Sequence, residues 1–151
     1  MYDITRKINF DALNLFRFLR FKEFRLRILL VDDNLSFLES LTKLMSSFTS
    51  VTIIGKAITG ESALEICKKL LPDLVIMDIK MPGISGFETT KLMKTLNYPP
   101  RILLISFNDE PEYLFESLSA GADGYMTKSE ISTGLFRSIS SIFSINSGAA
   151  S

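Results

Sequence analysis

Asp78 ends the apolar run Leu74-Val75-Ile76-Met77 and is followed at once by Ile79-Lys80-Met81-Pro82-Gly83. A carboxylate at the mouth of an apolar, strand-like run is costly to desolvate and needs a reason to be there. Arg27-Ile28-Leu29-Leu30-Val31 ends the same way, in Asp32-Asp33. If both runs are strands of one parallel sheet, they deliver three acids to one edge, where the charges repel unless a cation sits among them. Two further strand-like runs end in Ser106 and Lys128. Each residue alone has an ordinary explanation: Asp-Asp ahead of a helix caps it, a serine satisfies a strand end, a lysine stays solvated. On consecutive strand ends of one sheet, where open parallel sheets bind their ligands, the five form a candidate site.

The elements that must position these residues follow from hydropathy. From Arg27 onward, short apolar runs alternate with segments of helical period five times, the pattern of a parallel sheet covered by helices on both faces. The spacing predicts strands near 27–31, 51–55, 73–77, 101–105 and 123–127. The first, third and fourth are the most continuously apolar and should be central. Helices are predicted where Leu35, Leu38, Leu41, Met45 and Phe48 recur, and again where Ala63, Cys67, Leu70 and Leu71 follow Gly60-Glu61-Ser62. A third, less regular helix is expected near 85–96, stopped ahead of Arg101 by Pro99-Pro100. The fourth starts at Asp109-Glu110-Pro111, where acids and a first-turn proline suit a helix N-terminus, and ends at Gly121. The fifth carries Ile131, Leu135, Ile139, Ile142 and Phe143; beyond Ser144 the periodicity stops, and residues 145–151 read as a frayed tail.

Composition narrows the chemistry. The chain has 151 residues, 46% of them hydrophobic, a size and make-up that suit one domain with its own core. It has no histidine, which removes imidazole acid–base catalysis, Ser-His and Cys-His nucleophile pairs and the common zinc sets. Chemistry must therefore run on carboxylates, hydroxyls and lysine. Cys67 is the only cysteine, so no disulfide forms within the chain; a cytoplasmic location is expected, with Cys67 in the core. No apolar stretch approaches the roughly 20 residues that span a bilayer. Formal charge is zero, but residues 1–27 hold seven Lys/Arg against three Asp/Glu, leaving a net acidic body.

Residues 1–26 form an extension outside the five-fold pattern, with Phe10, Phe16, Phe18, Phe21 and Phe24 interleaved with Arg17, Arg20, Lys22 and Arg25. An unstructured leader, an extra helix packed on the domain, and a basic segment resting on membrane or nucleic acid are all open readings. The phenylalanines do not fall on one helical face, which argues against membrane contact. Direct nucleic-acid binding is not expected of a net acidic body.

Four segments resemble the receiver domain of two-component response regulators, a match that runs from about Arg27 to Phe143 and sets the domain at 27–144: Ile28-Leu29-Leu30-Val31-Asp32-Asp33-Asn34, Pro72-Asp73-Leu74-Val75-Ile76-Met77-Asp78-Ile79-Lys80-Met81-Pro82-Gly83, Ile105-Ser106, and Ala120-Gly121-Ala122-Asp123-Gly124-Tyr125-Met126-Thr127-Lys128. The wording is most similar to the LuxR/NarL-type subfamily, whose helix-turn-helix output domain has no counterpart in these 151 residues. The resemblance implies a flavodoxin-like (βα)5 fold, a doubly wound parallel five-stranded sheet of order 2-1-3-4-5. It implies that Asp78 accepts a phosphoryl group from a histidine kinase or phosphotransfer protein, and that the only reactions catalysed are the chain's own phosphorylation and dephosphorylation. Asp33, Asp78 and the backbone carbonyl of Lys80 would bind Mg²⁺, with Asp32 helping through water. Lys128 would meet the phosphoryl oxygens. Ser106 would hydrogen-bond the phosphoryl group and be drawn toward it, opening space for the Tyr125 ring. The fourth helix, fifth strand and fifth helix would then present the surface read by a downstream protein or by a second copy.

Two residues depart from the family pattern. Phe107 stands after the switch hydroxyl where a small residue is common, and with Lys80 and Asn108 it is expected to tune access of donors and water. Ser129 follows Lys128 where many receivers have a proline with a cis peptide; a cis bond here would cost roughly 3 kcal/mol, so trans is expected. Two competing readings remain: the receiver part of a DNA-binding transcriptional regulator, and an interaction module that is never phosphorylated. A nucleotide-binding protein of this fold is set aside, because Asp32-Asp33-Asn34 has the wrong charge for a phosphate loop without metal.

Overall fold

The computed structural model of the protein describes residues 25–148, and side chains up to Ser144. The phenylalanine-rich segment 1–24 and residues 149–151 lie outside the described residues. Five parallel strands, β1 (Leu26–Val31), β2 (Val51–Ala57), β3 (Leu74–Asp78), β4 (Arg101–Ser106) and β5 (Gly124–Thr127), form one sheet in the order β2-β1-β3-β4-β5. Helices α1 (Leu35–Ser46), α2 (Gly60–Leu70), α3 (Gly86–Lys94), α4 (Pro111–Ala120) and α5 (Ile131–Gly148) follow the strands in turn. This is the flavodoxin-like doubly wound arrangement expected from the alternating pattern, with the three most apolar strands in the centre.

The core has two halves because the inner strands are buried on both faces. Leu26, Ile28 and Leu30 of β1 pack with Leu38, Leu41 and Met45 of α1 and with Leu135, Ile139, Ile142 and Phe143 of α5. Leu29 and Val31 point the other way, toward Ala63 and Cys67 of α2 and Met93 of α3. Each of the Leu, Ile, Val, Met and Phe side chains stabilises the fold by about 1.5–3 kcal/mol on full burial. Helix starts are fixed by short polar side chains: Asn34, Thr59 and Ser85 accept the N–H of Phe37, Ser62 and Glu88, while Pro111 opens α4 without a side-chain cap.

Several boundaries differ from expectation for physical reasons. β3 and β5 start one residue later than predicted, because Asp73 and Asp123 act as anchors below the sheet. Asp73 accepts the Arg27 N–H (2.9 Å), and Asp123 accepts the Ile102 N–H (2.8 Å) while pairing with Lys94 (2.7 Å) and Arg101 (3.1 Å). α3 ends at Lys94, ahead of the proline pair, with the Thr95 N–H closing on Leu92 and Met93 carbonyls. α5 runs on to Gly148 instead of ending at Ser144. Adding a residue to an existing helix costs little compared with nucleating one, so the turn propagates past the last core contact.

Candidate functional site

All five candidate residues meet at the carboxyl edge of the sheet. Asp32 follows β1 and Asp78 closes β3, so the acids flank the point between β1 and β3 where the strand order reverses, the usual place for a ligand in this architecture. Carboxylate oxygens of Asp32, Asp33 and Asp78 all lie within 4.8 Å of one another, with Asp32 and Asp78 buried and Asp33 exposed. Asp32 Oδ1 accepts the Asn34 N–H at 2.8 Å; Oδ2 lies 2.6 Å from Lys128 Nζ without an aligned hydrogen bond. The same ammonium is 3.5 Å from Asp78 Oδ2.

Three buried or facing carboxylates against one ammonium leave the site short of positive charge. Burial, with the neighbouring Asp32 charge second, pushes the Asp78 carboxyl up from 3.8 to about 6, although Lys128 and the Ile79 N–H pull it down. An all-oxygen donor set with uncompensated charge fits a hard divalent cation such as Mg²⁺.

Lys128 is held in place by parts that are not obvious in the sequence. The turn that carries it, Lys128–Glu130, is closed by a reciprocal cap: Glu130 Oε2 accepts the Thr127 N–H at 2.8 Å and the Thr127 hydroxyl at 2.9 Å. Those two bonds hold the Glu130 carboxyl below its ordinary range. The ring of Phe37, in the first turn of α1, lies 4.2 Å from Lys128 Nζ, a cation–π contact. The Lys128–Ser129 peptide is trans, as expected, with no cis bond among the described residues.

At the end of β4, Ser106 Oγ donates to the Asn108 carbonyl at 2.6 Å and lies 2.9 Å from the Tyr125 hydroxyl. With its own proton committed, Ser106 accepts from Tyr125. Tyr125 therefore stands on the edge strand with its polar end tied to the residue next to the acidic cluster.

Beside Asp78 lies a cavity of about 60 Å³, room for a few waters, lined by Asp78, Ile79, Lys80, Ser106, Phe107, Asn108 and Tyr113. Lys80, Phe107 and Asn108 thus border the same space, though Phe107 is 81% exposed and its ring projects into solvent. Tyr113, from the first turn of α4, was not singled out in the sequence. The tendency of helical side chains to lean toward the N-terminus, applied to a helix starting at Pro111, would have aimed it back at the strand ends.

Gly86 sets the floor. A Cβ there would fall 2.3 Å from the Asp78 carbonyl oxygen and 2.8 Å from Ile79 Cα, so α3 can start against the Asp78 backbone only with glycine at this position. Gly86 N–H donates to the Ile79 carbonyl at 2.8 Å, closing the loop that carries Lys80.

A doubly wound sheet with an acid triad and a lysine at its reversal point defines a class of signalling module, and the family model of the response regulator receiver domain matches residues 28–139. The chain belongs to that family. It is 33% identical over 115 residues to the transcriptional regulatory protein NarL of Mycobacterium tuberculosis, covering 76% of this chain and 53% of that one. To the nitrate/nitrite response regulator NarL of Escherichia coli K12 it is 35% identical over 101 residues, 67% of this chain and 47% of that one. The signal receiver domain structure of M. tuberculosis NarL superposes with a TM-score of 0.69 at 33% identity, covering 76% of this chain and 95% of that one. The chain spans about half the length of these curated relatives. Phosphorylation-activated signalling is the general function of the family; its response regulators partner with histidine kinases or phosphotransfer proteins, and its receiver domains generally bind Mg²⁺ at an acidic pocket. Among the described residues, no helix is long and apolar enough to cross a membrane.

Proposed function

We propose that Asp78 is the phosphoacceptor of a receiver module spanning residues 27–144. The observation that carries this reading is the meeting of Asp32, Asp33 and Asp78 within 4.8 Å, with Lys128 reaching both buried acids. A carboxylate oxygen of Asp78 attacks the phosphorus of a donor phosphohistidine; the P–N bond breaks, its electron pair stays on the imidazole, and Asp78 becomes an acyl phosphate. Loss of the group reverses the charge change: water attacks phosphorus and the Asp78 carboxylate leaves. Asp33, Asp78 and the Lys80 carbonyl would hold Mg²⁺ directly and Asp32 through water, and bound there the ion supplies charge that offsets the acids and the phosphoryl oxygens. Lys128 Nζ, already 3.5 Å from Asp78, would add a fixed charge on the other side.

The output follows from Ser106. To reach a phosphoryl oxygen, its hydroxyl must release the Asn108 carbonyl, and the move alters its bond to Tyr125, so the state of Asp78 is coupled to β5 through the Ser106–Tyr125 bond. The face of α4, β5 and α5 suits the partner surface because Leu114, Phe115 and Leu118 of α4 are exposed together. A second copy or a downstream protein would dock there, and the setting would be cytoplasmic, where Cys67 stays reduced. Intact mass after incubation with Mg²⁺ and acetyl phosphate tests the reading: a single phosphoryl adduct is expected on the wild type and none on Asp78→Ala. No adduct with acetyl phosphate or with a phosphorylated histidine-kinase donor would leave a constitutive interaction module in its place.

A second reading concerns the whole protein. Because the chain covers about half of relatives that are transcriptional regulators, the module also fits as the receiver part of a DNA-binding regulator. Fusion to a helix-turn-helix domain would make DNA binding depend on Asp78.

A further inference from the structure

Resting on the reading of Asp78 as phosphoacceptor, we propose that Tyr113 is the gate of the cavity beside Asp78, a positioning residue that restricts entry of water and small phosphoryl donors. Any water that hydrolyses an acyl phosphate at Asp78 must come through the open space next to that carboxyl, and the side chains at the mouth of that space are Lys80, Phe107, Asn108 and Tyr113. Phe107, the residue that departs from the family pattern, is poorly placed for a lid because its ring stands mostly in solvent. Tyr113 is half-buried and held from two sides. Its ring meets Phe87 edge-on, with centroids 5.9 Å apart at 65°, and Lys80 Nζ lies 5.8 Å from its centroid, a cation–π contact.

These contacts join three elements over one opening. Phe87 belongs to the first turn of α3, Lys80 to the loop after β3, and Tyr113 to the first turn of α4. The gate therefore opens when α4 shifts or when Lys80 turns to a new partner. A phosphoryl group on Asp78 is such a partner, because it presents oxygen acceptors to an ammonium two residues away in the chain. The neighbours of Tyr113 on α4, Leu114 and Phe115, are exposed, so an occupant of that face would bias the same ring. The lifetime of the phosphoryl group then depends on what sits on α4, a link that the acid cluster alone does not provide.

The test follows phosphoryl loss from wild type, Tyr113→Phe and Tyr113→Ala by intact mass after removal of acetyl phosphate, in Mg²⁺. Tyr113→Ala is expected to lose the group about tenfold faster, equivalent to a hydrolysis barrier about 1.4 kcal/mol lower. Tyr113→Phe keeps the ring on Phe87 and beside Lys80 and loses only the hydroxyl, so its rate should stay close to that of wild type. Tyr113→Ala should also be phosphorylated faster by acetyl phosphate, with little change from a protein donor, a size dependence that simple loss of stability would not produce. Equal rates in all three proteins would overturn the proposal. Amide hydrogen exchange on unphosphorylated protein separates failure of the gate from failure of the phosphoacceptor reading: faster exchange at Ile79–Met81 in Tyr113→Ala supports the gate even if no adduct forms, and unchanged exchange there refutes it.

Discussion

Asp78 ionises against its surroundings. Its carboxyl is raised from 3.8 to about 6 by burial and by Asp32, so the folded chain holds that proton more tightly than the unfolded one. The stability it contributes is therefore full below pH 4 and is lost as pH rises through about 6, a change of roughly 1–3 kcal/mol once solvent screening at the open side of the site is counted against 1.36 kcal/mol per unit. Without divalent ions, Asp78→Asn should be more stable than wild type at pH 7, the gap should close toward pH 4, and Mg²⁺ should narrow it at pH 7. Thermal melts across pH with and without chelator read this directly; a wild-type protein equally stable at pH 4 and 7 without Mg²⁺ would contradict it. Lys128 is the counterpart. Removing it in Lys128→Met leaves the buried Asp32 charge unpaired, for which a loss of about 3 kcal/mol is expected in chemical denaturation.

At the scale of elements, the site depends on how closely α3 starts against β3. Gly86→Ala would drive a methyl into the Asp78 carbonyl, and overpacking of this kind costs about 1–3 kcal/mol. A lowered melting temperature together with weaker Mg²⁺ binding is expected; unchanged values would mean that α3 can back away freely. The sequence was most legible where one physical rule dominated. Val75, Ile76 and Met77 are buried on both faces, so their continuous apolar run announced a central strand, and the acids that ended such runs announced the site. Periodicity could not reveal the end of α5, since residues 145–148 continue the helix without a core pattern to mark them. Nor could it reveal Tyr113, Phe37 or Gly86, whose roles come from contacts between different elements. Phe37 reaches Lys128 across about ninety residues of chain, a meeting that follows from α1 and the β5–α5 turn sharing one edge of the sheet.

The whole molecule behaves as one sheet with a charged edge and an apolar flank. The acids gather at the carboxyl ends of β1 and β3, and α4, which starts beside them, exposes Leu114, Phe115 and Leu118, with Phe115 73% exposed. If that flank is read after phosphorylation, the phosphorylated chain should elute earlier than the unmodified one in size-exclusion chromatography at micromolar concentration. Phe115→Asp should still carry the adduct and lose the shift; a shift that survives this change would move the contact off α4. Tyr113, in the first turn of α4 and lining the cavity beside Asp78, lies between edge and flank, where the proposed gate has to sit. The most direct test of the central claim is to find the covalent group itself. Borohydride reduction of the chain after phosphorylation in Mg²⁺ converts an aspartyl phosphate to homoserine, and peptide mass mapping gives its position. The account predicts that conversion at position 78 and at no other acid; conversion at Asp32 or Asp33 instead, or none after both a small donor and a protein phosphohistidine donor, would contradict it.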